Sequence, residues 1–140
     1  MYNLGVISGY KELFKDQNYD RINNPKYLSV KEMLPIGAEW FVGNKQFRIE
    51  FKDSAVLCLL SDMSGIAVVE FHGSNSKAYI INSDGTKRFE IKLPAEYSAP
   101  HFYDVYYING DLYFFFYDKE DYRALVDVDS GNIKDISISR

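Results

Sequence analysis

The sequence predicts an all-β fold, an antiparallel meander of β-hairpins, and three observations carry that prediction. Aromatic residues make up 16% of the chain, as twelve Tyr, ten Phe and one Trp, and flat rings suit a pleated, half-buried surface. From Glu39 onward apolar and polar residues alternate with a period of two, which sends successive side chains to opposite faces of a sheet. Short clusters such as Gly43-Asn44-Lys45 and Asn109-Gly110 separate the alternating runs, and these residue types tolerate the positive φ of tight hairpin turns. At 140 residues the chain suits one domain with a sizeable core.

The opening stretch, residues 1–38, is the least regular and reads as an irregular or briefly helical lead-in. Residues 3–8 suit a short strand, and residues 11–16 suit one helical turn. Asn23-Asn24-Pro25 marks a turn. Ser29 and Glu32 have the spacing of a capping box, in which each side chain satisfies the other's backbone N–H. Pro35 then ends anything helical by Leu34. A hairpin over residues 39–52 follows, with Phe47, Ile49 and Phe51 on one side of its second strand and Gln46, Arg48, Glu50 and Lys52 on the other. Such clean alternation describes a sheet with one solvated face.

Two four-strand units of similar layout complete the chain, over residues 55–93 and 102–138. The first places strands at 55–60, 66–71, 77–81 and 87–93, and the second at 102–108, 111–117, 122–126 and 132–138. Corresponding strands begin 45 to 47 residues apart, and the last hairpins turn through Ser83-Asp84-Gly85 and Asp129-Ser130-Gly131. Early strands are apolar on both faces, as in Leu112, Phe114 and Phe116 set against Tyr113, Phe115 and Tyr117. The last strand of the first unit alternates cleanly, with Phe89, Ile91 and Leu93 inward. This layout predicts two to three propeller-like four-stranded blades. A sandwich or a partly closed barrel accommodates the same meander.

Charge narrows the partners. The net charge is −4, and residues 101–140 hold all of the excess, with eight acids against four bases. Nucleic-acid binding needs the opposite sign, because Lys and Arg neutralise phosphates; an acidic end suits a basic protein. No apolar run approaches membrane-spanning length, and residues 1–10 lack the charged and apolar regions of a secretory leader. Cys58 stands alone in an apolar run, as a small buried hydrophobe rather than half of a disulfide. A cytoplasmic protein with no membrane association is expected.

Catalytic chemistry has no foothold. His72 and His101 lie far apart, each beside a turn, without the clustered ligands a zinc site requires. Asp127, Asp129, Gly131 and Asn132 superficially resemble a calcium loop, but the glycine falls at position five and the closing Glu is missing. No nucleophile elbow, P-loop or dinucleotide fingerprint is present. No catalytic residue, metal or cofactor is therefore assigned.

The remaining constellation is aromatic and acidic. Residues 102–122 contain ten aromatic side chains interspersed with carboxylates. Tyrosine supplies contact area at low entropic cost and carries a hydroxyl that wants a partner, so it is enriched at binding surfaces. Beside carboxylates it suits Arg and Lys, through charge pairing and cation–π contact. The candidate partner-binding residues are Asp104, Tyr106, Asp111, Tyr113, Asp118, Glu120, Asp121 and Tyr122. The stretches Tyr106 to Tyr113 and Tyr117 to Tyr122 are similar in style to the small, acidic, Tyr- and Phe-rich bacterial immunity proteins of contact-dependent growth inhibition and related polymorphic toxin systems. That resemblance rests on no diagnostic motif, and such proteins share no single fold. It implies a protein partner, a secreted toxin domain and often a basic nuclease, whose active site is covered. Two alternatives fit the same residues: a ligand-binding β module with a pocket lined by Trp40 or the tyrosines, and a structural module of a larger propeller assembly.

Overall fold

Turn chemistry sets the topology. Asn109 and Gly110 both adopt positive φ (50° and 86°), the geometry that lets a two-residue turn follow the right-handed twist of its flanking strands. Gly43, Gly73 and Gly85 supply positive φ at other hairpins, so nearly every strand pairs with its neighbour in sequence. The structure, a computed structural model, describes residues 5–139. It contains strands β1 (Ile7–Leu13), β2 (Gly37–Val42), β3 (Lys45–Glu50), β4 (Ala55–Leu59), β5 (Gly65–His72) and β6 (Asn75–Asn82). These continue as β7 (Lys87–Glu90), β8 (His101–Ile108), β9 (Asp111–Tyr117), β10 (Asp121–Val126) and β11 (Ile133–Ile138). They form three antiparallel sheets in simple meander order, β1-β2-β3, β4-β5-β6-β7 and β8-β9-β10-β11. The sheets do not close into a barrel.

The lead-in differs from expectation. Residues 11–13 belong to β1, which adds a third strand to the first hairpin, with Lys11 opposite Glu39 and Leu13 opposite Gly37. A register shift between Ser8 and Lys11, with Gly9 at φ 59°, disrupts the alternation that would have marked it as a strand. Asn3 and Leu4 lie outside the described residues. The capping box does form: Glu32 N–H donates to Ser29 Oγ and Ser29 N–H to Glu32 Oε1. It encloses only a single 3-10 turn, Lys31–Met33.

The middle sheet is buried on both faces. Ile66, Val68 and Ile81 pack with Ala38, Trp40 and Ile7 of the first sheet. Ala67, Val69, Ala78 and Ile80 pack with Phe102, Leu112, Phe114 and Phe116 of the third. Period-two alternation thus divides β5 and β6 between two cores, and a polar residue on either side would cost burial energy. Trp40 and Phe114 are both fully buried; truncating Phe114 to Ala would cost about 3–5 kcal/mol.

Two polar links fasten the layers at equivalent places, the first buried and the second half-buried. Trp40 donates its indole N–H to Ser83 O (2.7 Å), in the last turn of the middle sheet. Arg88 donates to Val128 O (3.0 Å), in the last turn of the third sheet, and also to Asn82 Oδ1 and Ser64 O. Each sheet therefore satisfies a turn carbonyl of the next one, where an unpaired buried acceptor would be costly. Trp40 is fully buried and its indole N–H is taken up by this bond.

Candidate functional site

The third sheet has one covered face and one free face, and a bulge sorts the side chains between them. The register of β8 against β9 shifts between Phe102 and Asp104, so that Phe102 opposes Phe116 while Asp104 opposes Phe115. The extra residue, Tyr103, turns outward beside Asp104, and Val105 and Tyr107 fall inward. Cross-strand partners then place Asp104, Tyr106, Tyr113, Phe115 and Arg123 together on the free face.

Phe115 is the floor of this face. It is only 3% exposed although no other sheet covers it, because neighbouring rings do. Tyr106 stacks on it with centroids 4.4 Å apart and planes 19° from parallel. Tyr103 and Tyr113 each lie 6.4 Å away at tilted angles. Arg123 sits over the Tyr113 ring, its guanidinium carbon 4.8 Å from the centroid, and donates to Ser137 Oγ (3.3 Å). Tyr103 donates its hydroxyl to Asp121 Oδ1 (3.1 Å), and burial, reinforced by that carboxylate, pushes its pKa up to about 12. Tyr106 remains 44% exposed and Tyr117 50% exposed. The result is a rigid aromatic platform, held by ring contacts before any partner arrives.

Carboxylates lie on this face and in the turn beside it. Among the described residues, no Lys, Arg or His lies within ion-pair distance of Asp104, Asp111, Asp118, Glu120 or Asp121. Asp104 is half-buried, accepts the backbone N–H of Val105 (2.9 Å), and is held above the usual carboxylate range by its burial. Such a group gains from a cation brought by another molecule.

The eight candidate residues do not converge on one point. Asp104, Tyr106 and Tyr113 share the platform, and Asp121 reaches it through Tyr103. Asp118 and Glu120 form the β9–β10 turn, where Asp118 N–H donates to Glu120 O (3.0 Å). Asp111 begins β9 at the opposite end of the sheet, roughly 20 Å away by strand rise. Tyr122 faces the core side, stacked on Phe116 (5.3 Å) and edge-on to Tyr97 (5.2 Å). Phe115 and Arg123 complete the platform and were not singled out from sequence. The signal for Phe115 was its place between Tyr113 and Tyr117 on the same side of β9.

The histidines are separate from this face and from each other. His72 Nε2 lies 3.3 Å from Glu70 Oε2, and His101 packs against Phe71 with centroids 6.4 Å apart. Among the described residues, no group of three His, Cys, Asp or Glu side chains is placed to hold a metal ion, and no helix is long and apolar enough to cross a membrane. Cys58 is half-buried, and desolvation, followed by the charges of Asp104 and Glu12, raises its thiol pKa; this opposes thiolate reactivity.

No protein-family model matches the chain, and no curated protein matches it in sequence. The fold is similar to a chain from the solved structure of Tne2 in complex with Tni2, with a TM-score of 0.78 and 14% identity. That likeness covers 96% of this chain and 100% of the other.

Proposed function

We propose that this chain is an immunity protein of the cytoplasm, which binds a cognate secreted bacterial toxin and neutralises it by covering its active site. The observation that carries the reading is the free face of the third sheet, a preformed aromatic platform with Asp104 and Asp121 beside it and Asp118 and Glu120 in the adjoining turn, none of them ion-paired among the described residues. A basic toxin domain, such as a nuclease, would bring Arg and Lys to those carboxylates and lay their stems across Tyr103, Tyr106 and Tyr113. Aromatic anchors of this kind dominate binding energy at protein interfaces, and charge complementarity supplies speed and orientation. The inhibitor needs no chemistry of its own, since occlusion suffices. The structural likeness supports the reading because the similar chain was solved as part of a complex between two proteins.

The test is to express the product of the neighbouring reading frame, measure its binding to this chain, and challenge cells carrying it. Binding with protection of those cells is the expected result. Absence of any toxic neighbour, or protection that survives loss of binding, would overturn the proposal.

A further inference from the structure

A second surface differs from the platform in sign and shape. Residues 14–34 leave β1, loop outward and return through the 3-10 turn, enclosing a cleft of about 1070 Å³ against the β3–β4 connection and Gly73. Lys15, Arg21, Lys26, Lys31 and Lys52 line it, against Asp16, Glu32 and Asp53. The acids are already engaged. Asp16 Oδ1 accepts the N–H of Asn18 (3.2 Å), Glu32 Oε1 that of Ser29 (3.0 Å), and Asp53 Oδ2 that of Gly73 (2.9 Å).

The cations are not engaged in the same way. Among the described residues, none of the five has a carboxylate within ion-pair distance, although Lys15 lies close enough to help lower the pKa of Glu32. Lys31 is spent on Gly73 O (2.6 Å), and Arg21 lies over the Phe14 ring, 3.6 Å from its centroid. Lys15, Lys26 and Lys52 keep their ammonium groups available. In a chain of net charge −4, this cleft is a local excess of positive charge.

Its wall is preformed and its floor is apolar. Asn24 and Tyr27 hold positive φ (45° and 51°) without being glycine, a conformation that persists only where surroundings enforce it. The Asn24 side chain enforces it here, accepting from Tyr19 Oη (2.6 Å) and Leu28 N–H (2.8 Å) and donating to Leu28 O (2.8 Å). Phe14, Met33, Leu34 and Phe51 line the interior. Pockets for small molecules combine such an apolar lining with a few convergent polar groups.

From the unpaired lysines over an apolar, preformed cavity, we propose that this cleft binds a small organic anion, with its charged head on Lys15 and Lys52 and its apolar body on Phe14 and Phe51. Carboxylate, sulfonate and phosphate heads share the required chemistry. The site is independent of the toxin-binding reading, which rests on the opposite charge and another sheet.

Amide chemical shifts of the whole ¹⁵N-labelled chain test this, with three probes: naphthalene-2-sulfonate, inorganic phosphate and naphthalene-2-methanol. The sulfonate should move the amides of residues 14–16, 31–34 and 51–54, and bind about tenfold or more tighter than either probe that lacks one half of it. Lys15→Glu with Lys52→Glu should weaken it by about tenfold or more, with amide dispersion retained. Equal affinity for phosphate or for the neutral naphthalene, shifts centred elsewhere, or unchanged binding by the double variant would each overturn the site.

Discussion

The first and third sheets stand in the same position, one at each end of the stack, each with one face on a core and one face free. Their free faces are built from opposite chemistry. On the first sheet Arg48 lies between Glu39 (3.3 Å) and Glu50 (2.9 Å), so its charges answer each other, and Phe41 is its one large exposed apolar residue on β2 and β3. On the third sheet none of Asp104, Asp111, Asp118, Glu120 and Asp121 is ion-paired among the described residues, and four aromatic rings occupy the centre. A solvated sheet face needs only the first arrangement. The second leaves charge and ring area uncommitted, which is what a partner would use. The contrast, rather than the tyrosine content alone, supports the proposal that the third sheet carries the binding face.

The largest effect expected from this contrast lies at the platform centre. Tyr106→Ala removes the exposed ring that stacks on Phe115, and should speed dissociation from the toxin by a loss of about 2 kcal/mol or more, the scale of an interface hot spot. Phe41→Ala, the matching change on the first sheet, should leave dissociation unchanged. Surface plasmon resonance on both variants separates the two faces, and equal effects would erase the contrast.

A smaller effect, on rate rather than lifetime, belongs to the acidic turn. Reversing Asp118, Glu120 and Asp121 together to Lys should slow association by about tenfold or more at low ionic strength and flatten its salt dependence. Reversing Glu39 and Glu50 should not, because they serve Arg48. Stopped-flow association across a salt series reads both, and melting curves check that the fold is retained.

Much of this face was legible in the sequence, and its failures have physical causes. The strands from Glu39 onward announced themselves by alternation and turn residues. The inward set Leu112, Phe114 and Phe116 followed from a period of two. The sorting of β8 did not, because strict alternation from Phe102 puts Asp104 and Tyr106 on the core side. One extra residue at Tyr103 reverses every side chain after it, and no composition rule foretells a bulge. Tyr122 looked equivalent to Tyr113, yet its place opposite Phe116 turns it to the core. The β1 strand was hidden by its own bulge at Gly9. The cleft could not be read from sequence either, since its cations come from stretches joined only by the fold.

The two links between layers give a control on stability that leaves the faces untouched. Trp40→Phe keeps much of the buried ring but removes the indole N–H donated to Ser83 O, and should cost about 1–3 kcal/mol in chemical denaturation. Toxin binding by the folded fraction should be unchanged. A loss of affinity equal to that of Tyr106→Ala would mean that the platform depends on the far sheet.

The smallest and most discriminating change is Asp104→Asn. Burial raises the Asp104 pKa above its ordinary 3.8 in the folded chain, so the folded state holds this proton more tightly than the unfolded one. Stability from this group is therefore fully present below about 3.8 and is lost as pH rises through the raised folded value; at neutral pH the ionised carboxylate works against the fold. Asn removes that penalty. The variant should be slightly more stable than the parent at pH 7 and no more stable at pH 3, as urea titrations at the two values would show. Binding should move the other way, because the charge that costs the free protein is the one a toxin cation would neutralise. In the parent, affinity should begin to fall in acid before the exposed carboxylates titrate, and the variant should lack that early step. Gain of stability with loss of affinity would mark Asp104 as a residue kept for its partner. If Asp104→Asn instead destabilised the fold at pH 7, its hydrogen bond to Val105 would outweigh desolvation, and the carboxylate would be structural.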